Sequence, residues 1–197
     1  KIELLRHKSR FIHFLETLAG MEQDSMIGDL EILLPEEREK VLFEWNEPLE
    51  TLPNVNVPLL FQHQAEQAPE RIAVADGDEI LSYQELHHRS NQLAQLLIER
   101  FQAGPETFVA VALTRTVDMV VSLLAVLKTG AAYVPVDPEF PMERINYMLE
   151  DAQPVCIITN QTTAPKLSLH CDVTQLVLGE SDTNLMLSRY KDSGIDL

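Results

Sequence analysis

Twelve residues, Leu127 to Pro138 (LKTGAAYVPVDP), constrain the fold more than any other stretch. They hold the apolar end of a helix, a glycine that stops it, a short apolar strand and two prolines that end the strand. The small residues Ala131 and Ala132 allow a helix and a sheet to approach closely. A helix delivered straight into a buried strand is the second half of a crossover unit, and crossover units build parallel sheets.

The neighbouring sequence repeats the pattern. Phe108 to Leu113 (FVAVAL) is a continuous apolar run, the kind of strand buried on both faces. Val117 to Lys128 is rich in valine, yet its length predicts a helix, with Asp118 in the first turn, Lys128 in the last and Gly130 just beyond. Ala131 to Val136 is the next strand, and Pro141 opens a helix to about Asp151. Val155–Thr159 and Gln175–Leu178 are further strands, and after Glu180 the pattern fades into a polar tail. Ahead of this block, Pro58–Gln67 reads as a helix with Leu59, Leu60, Phe61 and Ala65 inward. Ile72–Ala75 and Ile80–Leu81 read as short strands joined by the turn Asp76-Gly77-Asp78. Ser82 and Glu85 have the spacing of a capping box, with Leu81 and Leu86 placed as its hydrophobic staple. That helix runs to about Arg100 with Leu86, Leu93, Ala94 and Leu97 on one face. The expected class is α/β: an incomplete parallel-sheet subdomain with crossover helices, preceded by an N-terminal helix and an acidic ordered linker.

The first twenty residues place Ile2, Leu4, Leu5, Phe11, Ile12, Leu15 and Leu18 near helical spacing, opposite Lys1, Arg6, Lys8 and Arg10. Gly20 ends that helix. Residues 22–50 hold ten acidic and two basic residues, so they carry half of the chain's net charge of −16. Their apolar Ile32, Leu33, Leu34, Val41, Leu42 and Trp45, with Pro35 opening a short helix, predict a linker that packs on a surface. A floppy tether would be rich in Gly and Ser.

Charge excludes some functions. With 15 Lys plus Arg against 31 Asp plus Glu, the field of the chain repels phosphate backbones and anionic membranes. No nucleic acid and no membrane are expected as partners. The longest apolar run, Met119–Leu127, is far short of the ~20 residues that span a bilayer. The opening KIELLRHKSRF has no secretory core and lies within a helical pattern, so a cytoplasmic piece of a longer chain is expected. Cys156 and Cys171 form neither a zinc pattern nor a CxxC pair, and Cys156 lies in an apolar run, as a buried small hydrophobe would.

The polar residues offer little chemistry. Lys128 and Asp137 are possible site groups, but a helix-end charge and a turn aspartate account for them equally. His87 and His88 are adjacent on a helix, about 100° apart, and cannot grip one metal together; a solvent-facing pair is expected. His7, His13, His63 and His170 have no Glu or Cys at ligand spacing. The seven glycines are Gly20, Gly28, Gly77, Gly104, Gly130, Gly179 and Gly194, no two within five residues, so no phosphate-cradling loop is present.

Leu127–Pro138 closely resembles the LKAGxAYVPxD motif of nonribosomal peptide synthetase adenylation domains. Leu81-Ser82-Tyr83-Gln84-Glu85-Leu86 is similar to the family's L-[TS]-Y-x-E-L motif. Phe61 to Ala65 with Pro69-Glu70 and Ala73-Val74 resembles the domain entry, and Pro141–Ile145 with Leu149–Ala152 the segment after the motif. Leu34–Asn46, with Glu37-Arg38 and Trp45-Asn46, resembles the linker after a condensation domain, although Pro35 stands where the family often has a Ser-type cap. The resemblance implies three segments: 1–21 as the last helix of a condensation domain, 22–57 as a condensation–adenylation linker, and 58–197 as the start of an adenylation domain, truncated before its phosphate loop. His87-His88 do not fit the family's HHxxxDG condensation motif, since Gln92 and Leu93 stand where Asp and Gly are required. The resemblance further implies a parent that uses ATP and Mg²⁺ to form an aminoacyl adenylate and loads the amino acid on a phosphopantetheine carrier. Its partners would be the amino acid, ATP and the neighbouring condensation and carrier domains. No catalytic, cofactor-binding or metal residue is expected in the present chain, which should be inactive alone and expose apolar surface. Two alternatives are an acyl-CoA ligase fragment and a non-catalytic docking module using residues 1–57.

Overall fold

The computed structural model describes residues 2–22, 24, 26, 28, 30–47, 55–167 and 172–190. His170, Cys171 and Gly194 lie outside them. Contacts divide the chain into two units, Lys1–Asn54 and Val55–Leu197.

The first unit contains α1 (Ile2–Gly20) and α2 (Pro35–Glu39), which continues as a π-helical turn over Lys40–Glu44. Leu34 caps α2 without a side-chain acceptor. Instead, Glu37 reaches back to the Leu34 amide at 3.3 Å, and Pro35 has no amide to satisfy. Arg10 holds Glu37 through its Nε and guanidinium nitrogens at 2.6–2.9 Å, which keeps the Glu37 carboxyl below its ordinary range. At the other end the Asn46 amide donates to the carbonyls of Val41 (2.7 Å) and Leu42 (3.1 Å), satisfying orphans of the last turn. The expected apolar packing of this linker is not what the structure shows: Ile32, Leu42 and Trp45 are exposed.

The second unit opens with α3 (Val57–Gln67), capped by the Asn56 side chain at 2.9 Å. Pro58 and Ala65 are its buried residues, whereas Leu60, expected inward, is exposed because it lies on the opposite face from Ala65. β1 (Ile72–Asp76) and β2 (Glu79–Ser82) form an antiparallel hairpin around Gly77, whose φ of +58° only glycine adopts readily. α4 (Tyr83–Phe101) starts at the expected capping box. The Glu85 amide donates to Ser82 Oγ (3.2 Å), and the Glu85 carboxylate accepts from the Ser82 amide (2.8 Å). Leu81 and Leu86, the staple pair, are each 2% exposed.

The main sheet follows: β3 (Phe108–Val111), α5 (Val117–Thr129), β4 (Ala132–Pro135), α6 (Met142–Ala152), β5 (Cys156–Asn160), a 3₁₀ turn at Ala164–Lys166, and β6 (Gln175–Leu178). The order is β4-β3-β5-β6 and every pair is parallel. From β3 the chain steps outward to β4, then back across β3 to β5. Right-handed crossovers therefore require α5 and α6 on opposite faces. The core divides accordingly. Val109, Val111, Cys156, Ile158 and Leu176 pack with α4 and α5; Ala110, Ala112, Val136 and Ile157 pack with Ile145 and Leu149 of α6. The inner strands β3 and β5 are thus covered on both sides, as FVAVAL required, whereas the edge strand β4, read from sequence as buried, has Ala132, Tyr133 and Pro135 exposed. One reading fails after Glu180: the polar tail begins with a helix, α7 (Ser181–Leu187), whose Met186 and Leu187 pack on the α4–α5 side.

Candidate functional site

Lys128 lies on the same stripe of α5 as Val121, Leu124 and Ala125, so its side chain enters the protein. It is 3% exposed. Its ammonium donates to Asn91 Oδ1 (2.6 Å), Ser90 Oγ (2.8 Å) and the His87 carbonyl (3.3 Å). The His87 Nδ1 lies 3.4 Å away, and the Phe61 ring centroid 5.5 Å away. Ser90 can present a lone pair because its own proton goes to the Leu86 carbonyl at 2.7 Å. Lys128 is the expected basic residue of the last turn of α5, and its position there repeats the buried spacing of that helix. One expectation is corrected: His87 and His88 are not a solvent-facing pair, since both are half-buried and the His87 ring is stacked on Phe61 at 6.1 Å. Together these side chains join α3, α4 and α5 through one buried cation. Such a charge holds only while its hydrogen bonds are satisfied.

The rest of the motif is structural in detail. Thr129 Oγ1 donates to the Val126 carbonyl (2.7 Å) and accepts from the Ala131 amide (3.1 Å), bridging the helix stop. Gly130 has φ +82°, and a Cβ there would meet the Pro105 ring at 3.3 Å. Asp137 Oδ1 accepts from the Glu139 amide at 3.0 Å, so the turn-aspartate reading describes its geometry.

Open parallel sheets bind ligands at the carboxyl ends of their strands. That rim consists here of Thr114–Thr116, Asp137–Pro138, Asn160–Gln161 and Gly179. Its polar groups face one another: Asn160 Oδ1 accepts from the Thr162 and Thr163 amides (3.2 and 2.9 Å), and Gln161 Nε2 donates to the Gly179 carbonyl (2.8 Å). A 350 Å³ groove runs beside β4, lined by apolar Leu113, Met119, Leu123, Tyr133 and Pro135 with exposed Arg115 and Asp137. Nearby, Asp118 occupies the first turn of α5. Burial raises its pKa, with Glu79 adding to the effect. A carboxylate at that helix end opposes a phosphate.

Among the described residues no group of three His, Cys, Asp or Glu could hold a metal ion. The positive-φ glycines Gly77, Gly130 and Gly179 lie in a hairpin, a helix stop and a strand exit, and do not form one cradle. Among the described residues, no step of carboxylate activation is assigned to a named side chain. Cys156 is fully buried and burial pushes its thiol up to about 12, far from nucleophile range. No described helix is long and apolar enough to cross a membrane.

The sequence pattern of AMP-binding enzymes matches residues 61–192, about two thirds of the chain. The chain belongs to the AMP-binding enzyme family. Among curated relatives, a dimodular nonribosomal peptide synthase of Bacillus subtilis (strain 168) is 47% identical over 191 residues, covering 97% of this chain and 8% of the relative. Bacitracin synthase 3 of Bacillus licheniformis is 41% identical over 138 residues, covering 70% of this chain and 2% of the relative. The chain thus spans under a tenth of the length of these relatives. Of solved structures, the nonribosomal peptide synthetase FmoA3 in its AMPPNP-bound form aligns with TM-score 0.71 at 22% identity, covering 95% of this chain and 20% of that one. The N-terminal subdomain of Klebsiella oxytoca NpsA aligns at 0.58 and 21% identity, covering 70% and 32%. These structural likenesses share the fold, and the relatives bear out the resemblance to peptide synthetases carried by Leu127–Pro138.

Proposed function

We propose that this chain is part of an elongating module of a nonribosomal peptide synthetase. Residues 1–21 are the last helix of a condensation domain, 22–57 the linker, and 58–197 the first part of an adenylation domain. The intact enzyme activates an amino acid with ATP and Mg²⁺ to an aminoacyl adenylate and transfers it to the phosphopantetheine of a carrier domain, in the cytoplasm. One observation supports this reading above the rest. The 47% identity to a dimodular synthase extends over 191 residues, well upstream of the family match at 61–192. The contribution of residues 58–197 is a scaffold, and the chain alone carries no adenylation activity.

The test exchanges the matching segment of the Bacillus subtilis relative for residues 1–197 and measures ATP–pyrophosphate exchange. A soluble chimera should keep exchange within about tenfold of the unmodified synthase, since scaffold changes cost on the order of 1.4 kcal/mol or less in transition-state stabilisation. The isolated chain should give none. Exchange by the isolated chain, or a folded chimera with none, would refute the assignment.

A further inference from the structure

We infer that β6 pairs antiparallel with β6 of a second copy of this chain, giving a two-fold symmetric dimer. The two edges of the main sheet differ. On β4 the amides of Ala132 and Val136 go to the carbonyls of Thr107 and Val111, so Ala131, Tyr133 and Pro135 turn their backbone groups outward. Of these three, Ala131 gives its amide to Thr129 Oγ1 at 3.1 Å and Pro135 has none, which leaves Tyr133 as the donor. An outward proline blunts an edge. On β6 the Thr174 carbonyl accepts from the Ile157 amide at 3.0 Å, and the register sets Ile157 beside Gln175 and Thr159 beside Val177. Gln175 and Val177 therefore carry both amide and carbonyl away from β5, and no described strand lies beyond them. The strand QLVL has neither a proline nor a charge to protect that edge.

Backbone, charge and closure all favour a second copy. With the axis beside Leu176, Gln175 of each copy faces Val177 of the other, and each such pair exchanges both of its bonds. The charges are self-complementary as well. A 470 Å³ groove follows the edge, with Phe101, Leu185 and Met186 between two charged ends. Glu180 and Asp182 come directly after β6, where the parallel strands stop. Arg100 lies in the last turn of α4, just ahead of β3, where the strands start. Arg189 follows α7 toward that same end, since Met186 Sδ meets Arg100 Nη1 at 2.6 Å. Antiparallel pairing sets the basic end of each copy against the acidic end of the other. It also covers Leu185, which is 58% exposed. Because β4 is blunted, each copy has one open edge, so pairing closes as an isologous dimer and does not grow into a filament.

The net charge of −16 on each copy opposes association, but at about 0.15 M salt the Debye length is about 8 Å, so that repulsion is screened while groups in contact still pair. Sedimentation velocity of the 197-residue chain at that salt tests the dimer, with Leu4→Lys in every sample to remove association through the exposed stripe of α1. A monomer–dimer equilibrium should appear at micromolar concentrations. Val177→Pro deletes an outward amide without touching the ladder to β5, and should raise the dimer Kd at least about tenfold. If Val177→Pro does not fold, the charges decide. Arg189→Asp and Asp182→Arg should each weaken the dimer alone, and an equimolar mixture of the two should restore it as a heterodimer. A Leu4→Lys chain that stays monomeric would overturn the proposal. So would a dimer indifferent to a folded Val177→Pro or, where that variant is unfolded, to both charge changes.

Discussion

α1 and α4 are both amphipathic helices of nineteen residues, yet their apolar residues meet different fates. Leu93 and Leu97 of α4 are 1% and 0% exposed, whereas Leu4 and Phe11 of α1 are 74% and 63% exposed. The two sequences advertise burial equally well. A periodic apolar stripe states that a helix wants a partner, and only the surrounding chain decides whether it has one. α4 meets α5, the β1–β2 hairpin and one face of the sheet, all within its own unit. Among the described residues of its unit, α1 is tied to the short α2 segment by a half-buried ion pair.

The largest test of that contrast is Leu97→Ala. It removes a fully buried side chain from the centre of the α4–α5 core and should cost about 2–5 kcal/mol of unfolding free energy by urea titration. A loss below 1 kcal/mol would mean that the α4–α5 core is far looser than its burial indicates. Cys156 probes the same core through chemistry. In a Cys171→Ser background, an aromatic disulfide should label Cys156 at least about a hundredfold more slowly in the folded chain than in urea, because the thiol is buried and protonated. Since burial raises this thiol's pKa, the folded state holds the proton that the unfolded chain releases. This contribution to stability is therefore lost as pH rises above ~8.5, the unfolded thiol value. Cys156→Ala should flatten the decline between there and about pH 12.

Lys128→Met keeps most of the stem but leaves Asn91 Oδ1 and Ser90 Oγ facing an apolar group. It should cost about 1–3 kcal/mol, read in the same titration. A helix-end charge in solvent would instead lose only a few tenths. Ser82→Ala removes one half of the capping box and should cost about 1 kcal/mol. A neutral outcome would place the stability of α4's first turn in the Leu81–Leu86 staple rather than in the cap.

Much of the second unit was legible because its signals are local or periodic. Gly130, the Ser82–Glu85 box and the apolar runs of β3 and β5 each name their own conformation. The buried cluster was legible only in part. Lys128 sits four residues after Leu124 and seven after Val121, which is core spacing, but the last turn of a helix is also where a lysine favours the dipole. Ser90 and Asn91 follow Leu86 onto the buried stripe of α4, and their polarity there was the unused sign that a cation faced them from another helix. α7 escaped because Ser181–Leu187 has a polar first half and gains its partners, α4 and β6, only through tertiary contact. The exposure of Leu60, Leu42 and Trp45 was equally out of reach, since composition shows what a residue would gain by burial, not what lies within reach of it.

The smallest expected effect is the sharpest test of the opening contrast. Leu4→Ala and Phe11→Ala change apolar residues as large as those of α4, on a helix of equal length. If their face is uncovered in this chain, both should leave the urea midpoint of the second unit unchanged, within about 0.5 kcal/mol. They should nevertheless act on solubility, because an exposed apolar stripe is sticky even when it contributes nothing to folding. Sedimentation at rising concentration should show less association in Leu4→Lys than in the wild type. A loss of unfolding free energy of 2 kcal/mol or more in Phe11→Ala would show that α1 has a covered core after all, and the difference between the two helices would then be one of degree.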